Sequence, residues 1–285
     1  MEITGKTRLI ALLGDPVAHS LSPRMHNAAF AHLGLDYVYL AFRSNEAELP
    51  AAVAALKALD ARGFNCTMPL KKAILPFLDD MSPAARMTGS VNTVTIEDGR
   101  LIGNNTDGTG FIHDLRNHGV EIRGTRILIV GAGGAARGLC VQLALDGAAE
   151  IVIANRSLEK AQSIRGLIAS HVPACKVEAI QLSQGELAPR IAEADIFTNT
   201  TSLGMHPHEE ACVISDSSLL RPSLVMTDLI YIPRKTVFLK FAEEAGCKAI
   251  NGSGMLLWQG AEAFRIWTGQ DMPMGLVKSQ LFPDN

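Results

Sequence analysis

Apolar stretches alternate with polar and glycine-rich breaks along the chain, and this pattern predicts strands and helices in turn. Residues 9–13 form a short apolar run typical of a buried strand. Ser22, followed by Pro23, then predicts a helix with Ser22 as its N-cap, and Gly34 predicts where that helix ends. Residues 37–42 are rich in β-forming side chains, so the second strand is expected there.

The same alternation continues to the end of the chain. Further helices are expected where apolar residues recur at helical spacing or follow a helix-starting residue, at 49–59, 108–118, 134–146, from 157, at 254–267 and from 273. Further strands are expected at 62–67, 91–96, 101–102, 126–130, 151–154, 177–181, 195–198, 224–228 and 248–250. Strands that alternate with helices form βαβ units, so we expect an α/β fold with mainly parallel sheets and helices on both faces.

Composition and charge narrow the class of protein. The chain has 285 residues, 47% of them hydrophobic, and a formal net charge of −3, which favours two globular domains over one. No basic face or tail is visible, and no apolar run reaches the ~18 residues of a membrane span, so neither nucleic acid nor a membrane is expected as a partner. Five cysteines without CxxC spacing, and residues 1–6 without a signal-peptide pattern, predict free thiols in a cytoplasmic protein.

A glycine cluster predicts a dinucleotide site. Residues 131–136 fit G-x-G-x-x-G/A, directly after the strand at 126–130 and at the start of a helix. In that context the backbone can approach a pyrophosphate, and the helix N-terminus offers free N–H groups to it. The predicted contacts are Gly131, Ala132, Gly133, Gly134 and Ala135. The alternative is a glycine-rich turn that binds no ligand.

The residues that follow the next strand favour NADP over NAD. An NAD enzyme would place a carboxylate about 20 residues after the glycine turn, to bind the ribose hydroxyls. This chain instead has Asn155, Arg156 and Ser157, with Lys160 one turn further. Two cations without a carboxylate suit a 2′-phosphate. The alternative is that Arg156 and Lys160 are solvated side chains at a helix start.

Polar clusters follow several of the N-terminal strands, where α/β proteins bind ligands. They occupy residues 14–23, 63–71, 90–93 and 103–108. Together with the strings at 199–205, 228–231 and 251–261, they closely resemble the shikimate dehydrogenase family, including its quinate-using relatives. The resemblance spans nearly the whole chain, and the order and spacing of the motifs are its most specific feature.

The resemblance implies an NADP-dependent interconversion of 3-dehydroshikimate and shikimate, a step of aromatic amino acid biosynthesis. Lys71 and Asp107 match the family's catalytic pair. The residues that match its substrate ligands are Ser20 and Ser22 for the carboxylate, Tyr231 near it, and Thr67, Asn92 and Gln259 for the ring hydroxyls. The residues that match its nicotinamide neighbours are Gly252 and Met255.

Elementary chemistry agrees with these implied roles. Reduction of a ketone places negative charge on its oxygen, and an ammonium group such as that of Lys71 can stabilise this charge and donate the proton. The sequence does not decide whether Lys71 or Asp107 relays that proton. Two positions depart from the family's usual pattern, because Asp15 stands where Asn is frequent and Cys66 where a β-branched residue is frequent. Asp15 adds a negative charge near the expected carboxylate site.

Simpler roles remain for the same residues. Asp107 could be an N-cap and Lys71 a solvated lysine, while His206 and His208 are interpreted as part of a polar loop because no further metal ligands accompany them. Two other functions also stay open. One is quinate oxidation, or use of both acids, with NAD, and the other is a ligand-sensing homologue that has lost catalysis.

The expected organisation has a substrate-binding domain and a cofactor-binding domain. Residues 1–107 form the first, completed by the C-terminal helices 254–285, and residues 108–253 form a Rossmann-type, doubly wound NADP domain. The chain is expected to be a monomer or a homodimer.

Overall fold

The computed structural model describes residues 2–282 and separates into two units, each built around its own six-stranded sheet. The first unit comprises the chain up to Gly110 and again from Leu257 onward, and the second comprises Phe111–Leu256. Both units are mixtures of strands and helices, so the predicted α/β fold class is confirmed. Within residues 2–282, no helix combines the length and the apolar character that crossing a membrane requires.

The first unit contains a mixed sheet. Its strands are β1 (Arg8–Gly14), β2 (Tyr37–Arg43), β3 (Gly63–Cys66), β4 (Asp80–Met81), β5 (Thr93–Glu97) and β6 (Arg100–Asn104). Its first helices are α1 (Ser22–Leu33), α2 (Leu49–Ala58), α3 (Leu70–Ala73) and α4 (Pro83–Thr88), and α5 (Asp107–Asn117) begins in this unit. The strand order is β2-β1-β3-β5-β6-β4, and β5 runs antiparallel to both of its neighbours.

The second unit contains a parallel, doubly wound sheet. Its strands are β7 (Arg126–Val130), β8 (Glu150–Asn155), β9 (Lys176–Gln181), β10 (Ile196–Asn199), β11 (Val225–Asp228) and β12 (Lys248–Ile250). Its helices from residue 134 onward are α6 (Gly134–Leu145), α7 (Leu158–His171), α8 (Gln184–Glu193) and α9 (Val237–Glu244). Helix α10 (Ser253–Thr268) begins in this unit, and from Leu257 it belongs, with α11 (Met274–Leu281), to the first unit. The strand order is β12-β11-β10-β7-β8-β9, and all neighbouring strands are parallel. From the junction of β7 and β10 the chain proceeds first to one edge of the sheet and then to the other, and sheets of this kind bind nucleotides at that junction.

Strand periodicity divides the core of the first unit into two layers. Ile10 and Leu12 of β1 pack in the cluster that includes Phe264 and Trp267 of α10. Their neighbours in β1, Ala11 and Leu13, pack on the opposite side of the sheet, in the cluster that includes the apolar residues of α2. Successive strand residues point to opposite faces, so one apolar strand serves both layers.

The start of α1 differs from the prediction. Gly34 ends this helix in the left-handed region with φ +65°, as expected, but the N-cap is Leu21 and the prediction that Ser22 is the N-cap is wrong. The Leu21 carbonyl already accepts the Met25 N–H, so Ser22 is the first helical residue. Its N–H donates to Ser20 Oγ at 3.2 Å, and the hydroxyl that serves the helix start is therefore that of Ser20.

Candidate active site

Lys71 and Asp107 form an ion pair in the first unit. Lys71 lies in the short helix α3 that follows strand β3, and its backbone carbonyl accepts the N–H of Val91, two residues before β5, at 2.8 Å. Lys71 Nζ lies 2.6 Å from Asp107 Oδ2, and the two side chains are 31% and 16% exposed. Lys72, the next residue, is exposed. The partly buried pair shows that Lys71 is not an ordinary solvated lysine.

Asp107 is held from three directions. It is the first residue of α5, where the helix N-terminus favours a negative charge. Its N–H donates to Asn105 Oδ1 at 3.1 Å, and its Oδ1 accepts Asn92 Nδ2 at 2.8 Å. Asn92 is 3% exposed, and its other N–H bonds Thr106 Oγ1 at 3.0 Å. Both carboxylate oxygens of Asp107 therefore have donors, one from a cation and one from an amide.

The two serines predicted to bind a carboxylate lie at the start of α1. Ser20 Oγ accepts the Ser22 N–H, and the side chains of both serines are half-buried. Burial raises the pKa of Tyr39, and a hydrogen bond with the Ser22 side chain acts in the opposite direction. Tyr39 Oη donates to Asn65 Oδ1 at 2.7 Å. The Ser22 hydroxyl is thus next to a tyrosine that remains protonated.

Thr67 and Gln259 lie at two further positions of the first unit. Thr67 follows β3, and its N–H donates to the Leu13 carbonyl at 2.9 Å, which ties it to the end of β1. Gln259 of α10 lies against Gly110 of α5, where a Cβ on Gly110 would come 2.8 Å from the Gln259 Cα. Gly110 is one turn beyond Asp107, so this close approach requires a glycine and brings Gln259 to the first turn of α5.

Several polar residues near the Lys71–Asp107 pair had no predicted role. Tyr39, Asn65, Thr93 and Thr106 are all buried and form hydrogen bonds with one another or with Asn92. The sequence contains a weak indication that Asn65, Thr93 and Thr106 belong to the site, because all three lie within its polar clusters. Their roles depend on which strands pair, and β3 pairs with β5 from about 28 residues further along the chain.

The glycine turn of the second unit fits a pyrophosphate. Gly131 has φ +113°, and a Cβ there would collide with Thr200 Oγ1, so the first glycine is required by its backbone and by its neighbour. Gly133 is the N-cap of α6, and because it has no side chain, no side-chain capping bond occupies the first N–H groups of the helix. A Cβ on Gly133 or Gly134 would meet nothing within 4 Å, and residues 133–135 are exposed. The start of α6 is therefore open to an anion.

The cations predicted for a 2′-phosphate lie at the end of β8 and the start of α7. Asn155 Nδ2 donates to the Ser157 carbonyl at 2.9 Å, and Ser157 is the N-cap of α7 without a side-chain capping bond. Arg156 and Lys160 are exposed, and within residues 2–282 neither forms an ion pair with a carboxylate. Their charges are thus available to an anionic ligand, and they fit the phosphate group for which they were predicted.

Tyr231, Gly252 and Met255 all belong to the second unit. The Gly252 N–H donates to the Ile230 carbonyl at 3.1 Å, next to Tyr231, and Met255 lies in the first turn of α10. A Cβ on Gly252 would collide with the Leu229 carbonyl, which explains the glycine.

Asp228, two residues before Ile230, organises this region and had no predicted role. It accepts hydrogen bonds from Thr236 Oγ1 at 2.7 Å, the Ile230 N–H at 3.0 Å and Asn199 Nδ2 at 3.1 Å. Burial raises its pKa to about 6 against the effect of these donors.

The two departures from the family pattern are accommodated locally. Asp15 Oδ2 accepts Arg43 Nε at 3.0 Å, so its negative charge is paired with the end of β2. Cys66 is 1% exposed, and burial raises the pKa of its thiol to about 12.

His206 and His208 lie in an exposed loop, and the described residues contain no group of three or more His, Cys, Asp or Glu side chains placed to hold a metal.

Comparison with known proteins covers both units. The family model for the shikimate dehydrogenase substrate binding domain matches residues 12–94, that for shikimate / quinate 5-dehydrogenase matches 114–235, and that for the shikimate 5'-dehydrogenase C-terminal domain matches 252–282. A shikimate dehydrogenase (NADP(+)) of Alkaliphilus metalliredigens is 52% identical over 277 residues, which cover 97% of each chain.

Two solved structures extend the comparison. The shikimate 5-dehydrogenase from Listeria monocytogenes, in complex with shikimate and NAD, has a TM-score of 0.97 and 47% identity, and the match covers 99% of each chain. A quinate dehydrogenase from Corynebacterium glutamicum, in complex with NAD, has a TM-score of 0.88 and 29% identity, and the match covers 96% of this chain and 99% of that one.

A doubly wound sheet with an open glycine turn, and a second α/β unit whose helices carry a lysine–carboxylate pair, define a dinucleotide-binding α/β oxidoreductase. Its identity to curated relatives over nearly its full length is more specific than that class. The chain belongs to the shikimate dehydrogenase family, and the resemblance noted in the sequence is confirmed.

Proposed function

We propose that the chain catalyses the reversible, NADPH-dependent reduction of 3-dehydroshikimate to shikimate in aromatic amino acid biosynthesis, with Lys71 and Asp107 as the catalytic pair. The observation that carries this proposal is the 2.6 Å contact between Lys71 Nζ and Asp107 Oδ2, set among buried amide and hydroxyl groups. Amide and hydroxyl groups around one lysine–carboxylate pair suit a hydroxylated substrate whose carbonyl is to be reduced.

The catalytic pair would handle the proton of the reaction. NADPH, when bound, supplies the hydride that the carbonyl carbon receives. The carbonyl oxygen then needs a proton, and Lys71 is the group that carries one, since an ammonium donates and a carboxylate accepts. Asp107 orients Lys71 and stabilises its ammonium form, and after the transfer the neutral lysine takes a new proton from water. In the direction of oxidation, the neutral lysine takes the hydroxyl proton.

The remaining polar residues of the site would hold the substrate. Ser20 and Ser22 bind its carboxylate, supported by the positive end of α1, and Thr67, Asn92 and Gln259 bind its ring hydroxyls. Tyr231 contributes a further hydroxyl near the carboxylate. Both N–H groups of the Asn92 amide bond Thr106 and Asp107, so its ligand role would rest on a rearrangement of one of those bonds.

The second unit would bind NADP. Residues 131–135 hold the pyrophosphate at the start of α6, and Arg156 and Lys160 bind the 2′-phosphate, flanked by Asn155 and Ser157. Gly252 and Met255 contact the nicotinamide. Among residues 2–282 neither cation is paired with a carboxylate, which supports NADP over NAD, because the 2′-phosphate of NADP would give both an anionic partner.

We extend the proposal to organisation and location. The first unit would be the substrate-binding domain and the second the NADP domain, with sequence-predicted boundaries near residues 107 and 254. Quinate would be accepted less well than shikimate, and the chain would act as a monomer or homodimer in the cytoplasm. The five free cysteines support a reducing compartment.

A two-by-two assay tests substrate and cofactor together. Initial rates of oxidation are measured with shikimate or quinate, each with NADP or NAD, and kcat/KM is compared. We expect the highest value for shikimate with NADP. A clear preference for quinate with NAD would overturn the proposal in favour of a quinate dehydrogenase. Binding of shikimate without turnover by any cofactor would instead favour a ligand-sensing homologue.

A further inference from the structure

A chain of buried polar side chains crosses the first unit and ends on Asp107. Tyr39, Asn65, Thr93 and Asn92 are 0%, 8%, 0% and 3% exposed. Tyr39 Oη donates to Asn65 Oδ1 at 2.7 Å, Asn65 Nδ2 donates to Thr93 Oγ1 at 3.0 Å, and Asn92 Nδ2 donates to Asp107 Oδ1 at 2.8 Å. Thr93 thus stands between the two amide side chains.

Backbone groups determine which way each amide points. Asn65 Nδ2 faces the Asn92 carbonyl at 2.8 Å, and a carbonyl can only accept. Asn92 Oδ1 faces the Thr106 N–H at 2.9 Å, and an N–H can only donate. Thr93 Oγ1 accepts from Asn65, so its own proton goes to Asn92 Oδ1 at 3.0 Å, the nearer acceptor, since Thr106 Oγ1 is 3.5 Å away.

We propose that Thr93 is a positioning residue for the Lys71–Asp107 pair. Its hydroxyl, together with the Thr106 N–H, holds the Asn92 amide in the orientation that directs an N–H to Asp107. Thr93 is fully buried in β5, so it acts through Asn92 and not on the substrate. The inference rests on the proposed function and adds to it a residue for which no role was assigned.

Loss of the Thr93 hydroxyl would weaken the support of Asp107 in the Lys71–Asp107 pair. Asn65 would lose one of its two acceptors, and Asn92 Oδ1 would lose one donor while it keeps the Thr106 N–H, so the Asn92 amide would be held less firmly toward Asp107. Proton transfer depends on the distance and alignment of the groups that exchange the proton. The loss should therefore appear in kcat, while the affinity for NADP, whose predicted ligands belong to the second unit, is unchanged.

Three substitutions separate the hydroxyl of Thr93 from its methyl group. Thr93→Val keeps the shape without the hydroxyl, Thr93→Ser keeps the hydroxyl without the methyl, and Thr93→Ala lacks both. We expect kcat for shikimate oxidation to fall about tenfold in the Val and Ala variants, as for the loss of one hydrogen bond, and to stay within about twofold in the Ser variant. Thr95→Val is the matched control, since Thr95 is a buried threonine two residues along the same strand, and its kcat should not change.

The outcomes separate this inference from the proposed function. Fluorescence titration with NADP counts the folded protein in each sample, so kcat is expressed per binding-competent molecule. If wild type turns over shikimate and kcat follows the methyl group, with Val active and Ser impaired, Thr93 only fills space and the inference is wrong. If Thr93→Val does not fold, the Ser and Ala variants decide, and equal kcat values for those two overturn it. Wild type without turnover would instead refute the proposed function.

Discussion

His26 should make the folded protein sensitive to acid. The side chain lies in α1 and is 0% exposed, and neither ring nitrogen has a hydrogen-bond partner among the described residues. Its ring stacks on Tyr39 with 4.5 Å between centroids, and Trp267 lies 5.4 Å away. Burial without a partner lowers the pKa of His26 from 6.5 to about 3.

The sign of the effect follows from proton binding. Between pH 6.5 and 3 the unfolded chain binds a proton at His26 and the folded chain does not, so stability falls as the pH falls through this range. Each unit of difference between the pKa of His26 in the unfolded and folded chain corresponds to about 1.4 kcal/mol, so the full difference lowers the free energy of unfolding by about 5 kcal/mol at low pH. Between pH 7 and pH 5 the loss is about 2 kcal/mol.

The substitution His26→Leu tests this value, because leucine has a similar volume and does not titrate. Urea unfolding is followed by tryptophan fluorescence at pH 7 and pH 5, and the loss of unfolding free energy over that interval should be about 2 kcal/mol smaller in the variant. Phe30→Leu, in the same helix and cluster, is the control. It should lower stability equally at both values of pH. An identical pH dependence in wild type and His26→Leu would refute the reasoning.

The ligand sites give two further predictions. Ser22→Ala should raise the dissociation constant of shikimate about tenfold, the loss of one hydrogen bond to a charged group, and leave NADP binding unchanged in calorimetric titrations. An unchanged affinity for shikimate would contradict the role of Ser22. Arg156→Gln should lower kcat/KM with NADP about tenfold or more and leave kcat/KM with NAD unchanged, whereas Arg165→Gln, an exposed arginine further along α7, should alter neither. Equal losses with both cofactors would argue against a contact between Arg156 and the 2′-phosphate.

Local sequence patterns account for much of the fold. The strand at 126–130, its glycine turn and the helix that follows were predicted from neighbouring residues, and β7 and α6 lie there. Asp98 and Gly99 form the turn that joins the antiparallel pair β5 and β6, and Asp-Gly is a residue pair typical of such turns. Such elements depend on interactions within a few residues, which the order of side chains displays directly.

Features that depend on distant partners could not be predicted in the same way. The two-residue strand β4 (Asp80–Met81) exists because it pairs with β6, and nothing in its two residues indicates a strand. The start of α1 was misassigned at Ser22 because Ser20 supplies the hydroxyl that accepts its N–H. Asn65 and Thr93 lie on strands whose pairing brings them together, so their hydrogen bond is a property of the sheet and not of either segment.

The central claim is that Lys71, held by Asp107, moves the proton during shikimate oxidation. It is tested most directly by the kcat of Lys71→Ala with shikimate and NADP, after NADP titration has shown that the variant is folded. We predict turnover by wild type and a kcat about 10²- to 10⁴-fold lower in the variant, the usual contribution of a positioned acid–base group. A Lys71→Ala protein that keeps the wild-type kcat would contradict the account.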